Sequence, residues 1–193
     1  MSSEVTLFVD PTAGRGRGAV GGDGVVPLAL QALAGTQVPL GVVAVGTGND
    51  FARTLGLPVR EPARAGRLAA GALKEGRIRD IDLGRADGTW YGTVLCSGFD
   101  SRVNDRGNRM RLPAGRFKYD LAMVAELAAF RPFPYRITLD GGGTHLGHPK
   151  VSVHRAVKVT LEAPGITAYA DGEPLGPLPV TAECIPAAPR VLV

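Results

Sequence analysis

Two glycine loops constrain this chain most. Gly21-Gly22-Asp23-Gly24 comes first, and Gly46-Thr47-Gly48-Asn49-Asp50-Phe51-Ala52-Arg53 follows after one helix-sized and one strand-sized segment. Glycine lets backbone N–H groups come close to an anion with no side chain in the way. Two such loops, each with an aspartate, point to a nucleotide-phosphate site with a carboxylate for Mg²⁺. Either loop alone is a weak signal; the pair, in this order and at this spacing, is specific.

The pattern around the loops extends the argument. Val5 to Val9 reads as a first buried strand, with Ala13–Gly18 directly after it, where a phosphate loop belongs. Val25 to Leu33 reads as a helix with Pro27 in its first turn and Gly35 at its end. Leu40 to Val45 reads as a strand leading into the second loop, Asp50 opens a helix stopped by Gly56 and Pro58, and Pro62 to Leu73 reads as another helix. This repetition predicts a parallel sheet covered by helices.

After about Arg77 the pattern changes. Ile78, Ile81 and Leu83, then Trp90 to Cys96, then Arg136 to Leu139, read as strands without regular helices between them. Val151, Val153, Val157, Val159 and Leu161 alternate, as in strands with one buried face. Thr167 to Ala170, Val180 to Ile185 and Arg190 to Val193 continue in this style. The exception is Phe117 to Phe130, an amphipathic helix whose stripe of Tyr119, Met123, Leu127 and Phe130 reads as core packing. The expected fold is α/β followed by β: a three-layer α/β nucleotide-binding domain with a parallel sheet over 1–77, to which a strand at about 186–193 returns, then an antiparallel β-sandwich domain over 78–185.

A hydrophobic content of 45% with 21% charged residues fits a folded globule. Glu4 and Asp10 interrupt any apolar leader, and Pro27, Pro39, Gln31 and Gln37 break the uncharged run over 25–49, so a soluble, cytoplasmic protein is expected. Cys96 and Cys184 stand in no metal or redox spacing and read as buried free thiols. Arg102, Arg106, Arg109, Arg111, Arg116 and Lys118 face only Asp100 and Asp105 over residues 100–118, a local excess of +4 that equals the net charge of the chain. Such a patch attracts an anionic membrane surface. The alternative is a solvated loop with scattered ion pairs. No aromatic residues interleave with these arginines, which speaks against nucleic acid.

Two joins are too tight for continuous chain. Only Gly18 to Val20 separates the first phosphate loop from the Gly-Gly-Asp-Gly loop, while a parallel crossover takes at least about ten residues. Gly141 to Pro149 is an abrupt glycine- and histidine-rich join. Segments are expected to be missing near 18–20 and 141–150, closed up in the numbering or deleted from the chain.

The sequence resembles the diacylglycerol kinase catalytic family, bacterial soluble lipid kinases with sphingosine and ceramide kinases as relatives. The matching text is Pro11-Thr12-Ala13-Gly14-Arg15-Gly16-Arg17-Gly18, the two loops, Ile81-Asp82-Leu83-Gly84, Ser97-Gly98-Phe99-Asp100, and Asp171-Gly172-Glu173. These blocks stand in the family's order and reach almost to the C-terminus. The resemblance implies an ATP-dependent transfer of the γ-phosphate to the hydroxyl of diacylglycerol, giving phosphatidic acid at a membrane to which the enzyme binds transiently. It also implies that the nucleotide lies between the two domains; a homodimer is allowed.

On this resemblance the nucleotide contacts fall at Asp10, Thr12, Ala13, Gly14, Gly21, Gly22, Asp23, Gly24, Val25, Gly46, Thr47, Gly48 and Asn49, with Arg15 or Arg17 adding a cation. Asp23 is the candidate to reach the Mg²⁺ carried by ATP, directly or through water; a turn residue bonding its own backbone is the plainer alternative. Glu173 is the candidate general base, with an exposed hairpin glutamate as the alternative. Asp50, Arg53 and Asp82 resemble a polar network that orients the cleft, and an Asp50–Arg53 surface pair would also fit their spacing. The chain departs from the family in three ways: Asp10 stands where asparagine is usual, Val25 replaces a threonine, and the aspartate-rich structural magnesium loop is not found. His145, His148 and His154 read as parts of a flexible loop. The alternatives are an NAD kinase-like small-molecule kinase, which shares the Gly-Gly-Asp-Gly loop, and a non-catalytic nucleotide- or lipid-binding regulator.

Overall fold

The computed structural model describes residues 9–10, 19–20, 24–46, 48–110, 116–129, 134–140, 143–148 and 151–193. They divide into two compact units: residues 1–84, 90–93 and 185–193 in the first, and 85–89 and 94–184 in the second.

In the first unit, β1 (Val9–Asp10) pairs antiparallel with β2 (Ala19–Val20). Helix α1 (Val26–Leu33) follows, with Pro27 in its first turn and a chain reversal through Gly35, whose amide donates to the Ala188 carbonyl. Strand β3 (Pro39–Leu40) is shorter than the sequence predicts; beyond it only Ala44 bridges, in parallel, to Val59. Helices α2 (Asp50–Thr54) and α3 (Pro62–Glu75) come next, and Gly76, in the left-handed region, ends α3. Strand β4 (Ile78–Asp80) completes the set.

The C-terminal strand β15 (Arg190–Leu192) lies between β3 and β4, parallel to the first and antiparallel to the second. The described sheet of this unit is therefore mixed rather than all-parallel. Its core is one cluster of Ala29, Leu30, Leu40, Phe51, Leu83 and Ala188, and a second of Ala44, Ala52, Leu57 and Val191. Leu30 and Val191 are fully buried, and each contributes about 1.5–3 kcal/mol by burial.

In the second unit, β7 (Leu95–Cys96) leads into helix α4 (Phe99–Arg109), and helix α5 (Arg116–Ala128) packs beside it. The sequence reading missed α4, because its composition is polar and its apolar stripe is thin: only Ser101 and Gly107 are buried along it. Strands β8 (Arg136–Leu139), β11 (Lys158–Glu162) and β14 (Val180–Ile185) form the antiparallel centre of a five-stranded sheet. The hairpin of β5 (Leu83–Ala86) and β6 (Thr89–Tyr91), of which residues 85–89 belong to this unit, completes it, in the order β6-β5-β14-β11-β8. A three-stranded sheet runs β13 (Glu173–Pro177), β12 (Thr167–Ala170), β7. Strands β9 (Gly143–His148) and β10 (Val151–His154) pair with each other.

Three expectations are corrected here. The histidines expected in a flexible loop stand on strands, His145 and His148 on β9 and His154 on β10. Of the stripe on α5, the described members Met123 and Leu127 are exposed and not core, while Ala122 and Glu126 are buried; the side chain of Tyr119 and residue Phe130 lie outside the described residues. Small Ala122 and the ion-paired Glu126 let the helix approach α4 on that side, and the larger apolar residues are left outside. Finally, Cys184 is exposed and Cys96 half-buried, so neither is a core thiol.

Candidate functional site

The nucleotide residues Thr12, Ala13, Gly14, Gly21, Gly22, Asp23 and Thr47 lie outside the described residues, and Asp10 stands on β1. What the first unit shows is the two places where glycine loops enter helices. Gly24 and Val25 form a turn into α1, and Val25, at the capping position, makes no side-chain cap. A threonine there would carry a hydroxyl; valine carries none.

The second loop closes on itself. Asn49 is buried in the left-handed conformation (φ 60°), a region asparagine tolerates better than most residues. Its Nδ2 donates to the Gly46 carbonyl at 2.8 Å, and its own carbonyl accepts from the Arg53 amide at 3.0 Å. This fixes the chain from Gly46 into α2 as a tight turn. The helices behind both loops share one core: Leu30 of α1 and Phe51 of α2 both approach Gly92. Gly48 lies inside the second loop, half-buried.

Of the expected polar network, Asp50 and Arg53 are exposed on α2, and the Asp82 carboxylate accepts from the Ala187 amide at 3.0 Å. Asp82 thus holds the turn that sends β15 into the sheet. Among the described residues no group of three or more His, Cys, Asp or Glu side chains is arranged to hold a metal ion. The nominated ligand, Asp23, is outside that set, so no metal geometry is derived.

In the second unit, Glu173 is the first residue of β13, exposed, immediately after a two-residue hairpin turn. Asp171 (φ 50°) and Gly172 (φ 87°) both have positive φ, the pairing that a tight hairpin with twisted strands requires. The turn is pinned from the side. The Asp171 amide donates to the Val94 carbonyl at 2.9 Å, and the Asp171 carboxylate accepts from the Val94 amide at 3.1 Å. Sequence reading singled out Glu173 and the tight Asp171-Gly172 turn before it, and missed that Val94 holds Asp171. The Asp-Gly pair was the available signal, but its partner is 77 residues away.

The Ser97-Gly98-Phe99-Asp100 block turns from β7 into α4. The Ser101 hydroxyl donates to the Gly98 carbonyl at 3.0 Å. Burial, with the Asp100 carboxylate adding to it, pushes the Cys96 thiol up; a hydrogen bond from Asn104 offsets part of this, and the group is a poor nucleophile. Deeper in the unit, Tyr169 on β12 donates to Asp105 on α4, which also pairs with Arg109 at 3.0 Å. Burial first and that hydrogen bond second push the Tyr169 hydroxyl up to about 12. Beside these groups lies a cavity of about 540 Å³ between α4, α5 and residues 165–167, with Arg102, Arg106, Glu126, Met110 and Ile166 in its wall.

The family model of the diacylglycerol kinase catalytic domain matches residues 18–86, and that of the YegS C-terminal NAD kinase beta sandwich-like domain matches 93–143 and 141–193. A protein named Diacylglycerol kinase from Mycobacterium tuberculosis is 38% identical over 234 positions, covering 89% of this chain and 74% of that protein. The chain belongs to the diacylglycerol kinase catalytic family. A protein named as a YegS-like lipid kinase from Pseudomonas aeruginosa is 40% identical over 87 residues, 44% of this chain and 27% of its own. The fold is similar to that of a diacylglycerol kinase from Bacillus anthracis str. Sterne, with a TM-score of 0.58 at 22% identity, covering 89% of this chain and 72% of that one. Since 89% of 193 residues is about 172, the 234-position alignment to the Mycobacterium kinase contains about 60 positions that this chain lacks.

Proposed function

We infer that this member of the diacylglycerol kinase family is an ATP-dependent lipid kinase that phosphorylates the free hydroxyl of diacylglycerol to give phosphatidic acid. The observation that carries the reading is the 38% match to a protein named Diacylglycerol kinase, running through 89% of the chain and so through both units. On this reading the first unit is a three-layer ATP-binding domain. Its glycine loops hold the phosphates by backbone amides, with Asn49 keeping the second loop closed. Asp23 would hold the Mg²⁺ that ATP brings, and that ion would neutralise charge on the phosphates.

In the transfer, the lipid hydroxyl oxygen bonds to the γ-phosphorus, the bond from that phosphorus to the bridging oxygen of ADP breaks, and the hydroxyl proton goes to the Glu173 carboxylate. A loose transition state asks little basicity of the acceptor. It does ask for position, and the pinned Asp171–Gly172 turn supplies that.

The test is transfer of labelled phosphate from ATP to diacylglycerol in mixed micelles, run beside other lipids and NAD. Product with diacylglycerol, lowered at least about a hundredfold by Glu173→Gln, supports the reading. Full turnover by that variant removes Glu173 as base. A different phosphorylated lipid would redirect the substrate, and the Pseudomonas relative's broader name keeps that arm in the assay. Binding of ATP without any product would favour a regulator.

A further inference from the structure

We propose that a β-bulge at Leu175, which depends on Gly176, is what brings Glu173 into the sheet, and that Gly176 is a positioning residue for the transfer; this rests on the reading of Glu173 as the base. Strands β12 and β13 are antiparallel, and their register changes along the pair. Thr167 stands opposite Pro177 and Ala168 opposite Gly176, but Tyr169 stands opposite Pro174 and Ala170 opposite Glu173. Leu175 is the extra residue between the two registers. The consequence falls on the turn. Continued without the shift, the first register would set Leu175 opposite Tyr169 and Pro174 opposite Ala170. Glu173 would then fall in the loop with Asp171 and Gly172. The shift shortens the connection to Asp171-Gly172 and makes Glu173 the first residue of β13, paired with Ala170.

The surroundings place the extra residue on β13 and not on β12. Among the described residues β13 is the edge of its sheet, while β12 is paired on both sides, with Tyr169 opposite Cys96 of β7. β12 is also tied from outside the sheet, because buried Tyr169 donates to Asp105 on α4. An edge strand takes up an extra residue without breaking a second ladder, and it tolerates Pro174 and Pro177, which lack a ladder donor. Gly176 supplies the backbone. Its φ of 149° lies where side-chain-bearing residues are rare, yet a Cβ there would meet no atom within 4 Å. Glycine is needed at this position for its conformation and not for lack of space.

Gly176→Ala is therefore a clean test, since it adds strain to the bulge without a clash. In transfer of phosphate from ATP to diacylglycerol, its kcat should fall at least about tenfold while the KM for ATP stays within about twofold. Gly176→Ala combined with deletion of Leu175 needs no bulge and keeps every pair on both sides of it, so turnover should return. A bulge on an edge strand also blunts that edge against pairing with other chains. If that is its whole role, Gly176→Ala loses solubility at unchanged kcat, and the proposal is overturned. The register is read separately, by cross-strand nuclear Overhauser contacts. Ala170 should meet Glu173 in the wild type, Pro174 in Gly176→Ala, and Glu173 again in the combined variant. This readout needs no phosphate transfer, so full turnover by Glu173→Gln, which removes the base, is distinct from a failure of the register. An unchanged Ala170–Glu173 contact in Gly176→Ala overturns the proposal. So does a combined variant that regains the contact without regaining turnover, and that variant decides the matter even if Gly176→Ala alone fails to fold.

Discussion

The Asp171 carboxylate accepts a hydrogen bond from the Val94 amide at 3.1 Å while its own amide donates to the Val94 carbonyl at 2.9 Å. This two-way contact anchors the turn that presents Glu173. Replacement of Asp171 by alanine removes the acceptor and places a residue poorly suited to φ 50° at the turn, a combined cost of about 1–3 kcal/mol. Asparagine keeps an acceptor and tolerates that conformation. Chemical denaturation should rank wild type and Asp171→Asn together, above Asp171→Ala, and kinase turnover should follow the same order.

Asn49 closes the second glycine loop from a buried, left-handed position. Asn49→Ala loses the bond to Gly46 and strains the backbone, at about 1–2 kcal/mol. Because that loop is proposed to hold phosphates, the KM for ATP should rise more than the KM for lipid. An equal rise in both would show that the loop acts only through stability.

Gly92 has no room for a methyl group. A Cβ there would stand 2.6 Å from the ring of Phe51 and 3.0 Å from Leu30, both in the core of the first unit. Gly92→Ala should lower stability by about 1–3 kcal/mol through overpacking. A thermal melt checks this, and a combined Phe51→Leu substitution should recover part of the loss.

The two arginine pairs of α4 differ in burial, so they should differ in weight. Glu126 is 8% exposed against Arg106 at 42%, while Arg109 is 81% exposed in its pair with Asp105. Arg106→Ala leaves a nearly buried carboxylate without its partner and should cost about 1–2 kcal/mol, discounted for the half-exposed arginine. Arg109→Ala should cost less than about 0.5 kcal/mol. Equal losses in urea melts would contradict the assignment.

Tyr169 makes stability pH-dependent at the alkaline end. Its hydroxyl is raised to about 12 in the folded chain, against about 10 when unfolded. The unfolded chain therefore releases this proton first. The contribution is complete below pH 10 and is lost as pH rises from about 10 to 12. Melts across that range should show a fall in Tm that is smaller in Tyr169→Phe.

Local chemistry read well from sequence where the cause is itself local. Pro27 and Gly35 bracket α1, and Asp171-Gly172 makes the hairpin before Glu173, because each residue carries its own backbone preference. The motif blocks likewise marked the family from the residues alone. The second unit's helices were harder. α4 is polar enough to pass for a basic loop, and its helical character depends on packing against α5 and β12. Periodicity alone found the apolar stripe of α5 but could not say which way it faces.

Sequence by itself thus determined where several turns fall, since backbone preference belongs to short stretches of chain; the expected buried face of alternating valines did not follow, because Val153 and Val157 are exposed. The three-dimensional structure alone decided that Asp171 is held by Val94, 77 residues before it, that β15 separates β3 from β4, and that Met123 and Leu127 point away from the core. The physical reason is the same in each case. A hydrogen bond or a buried face between distant segments depends on where the rest of the chain has packed, and no short window of residues carries that information.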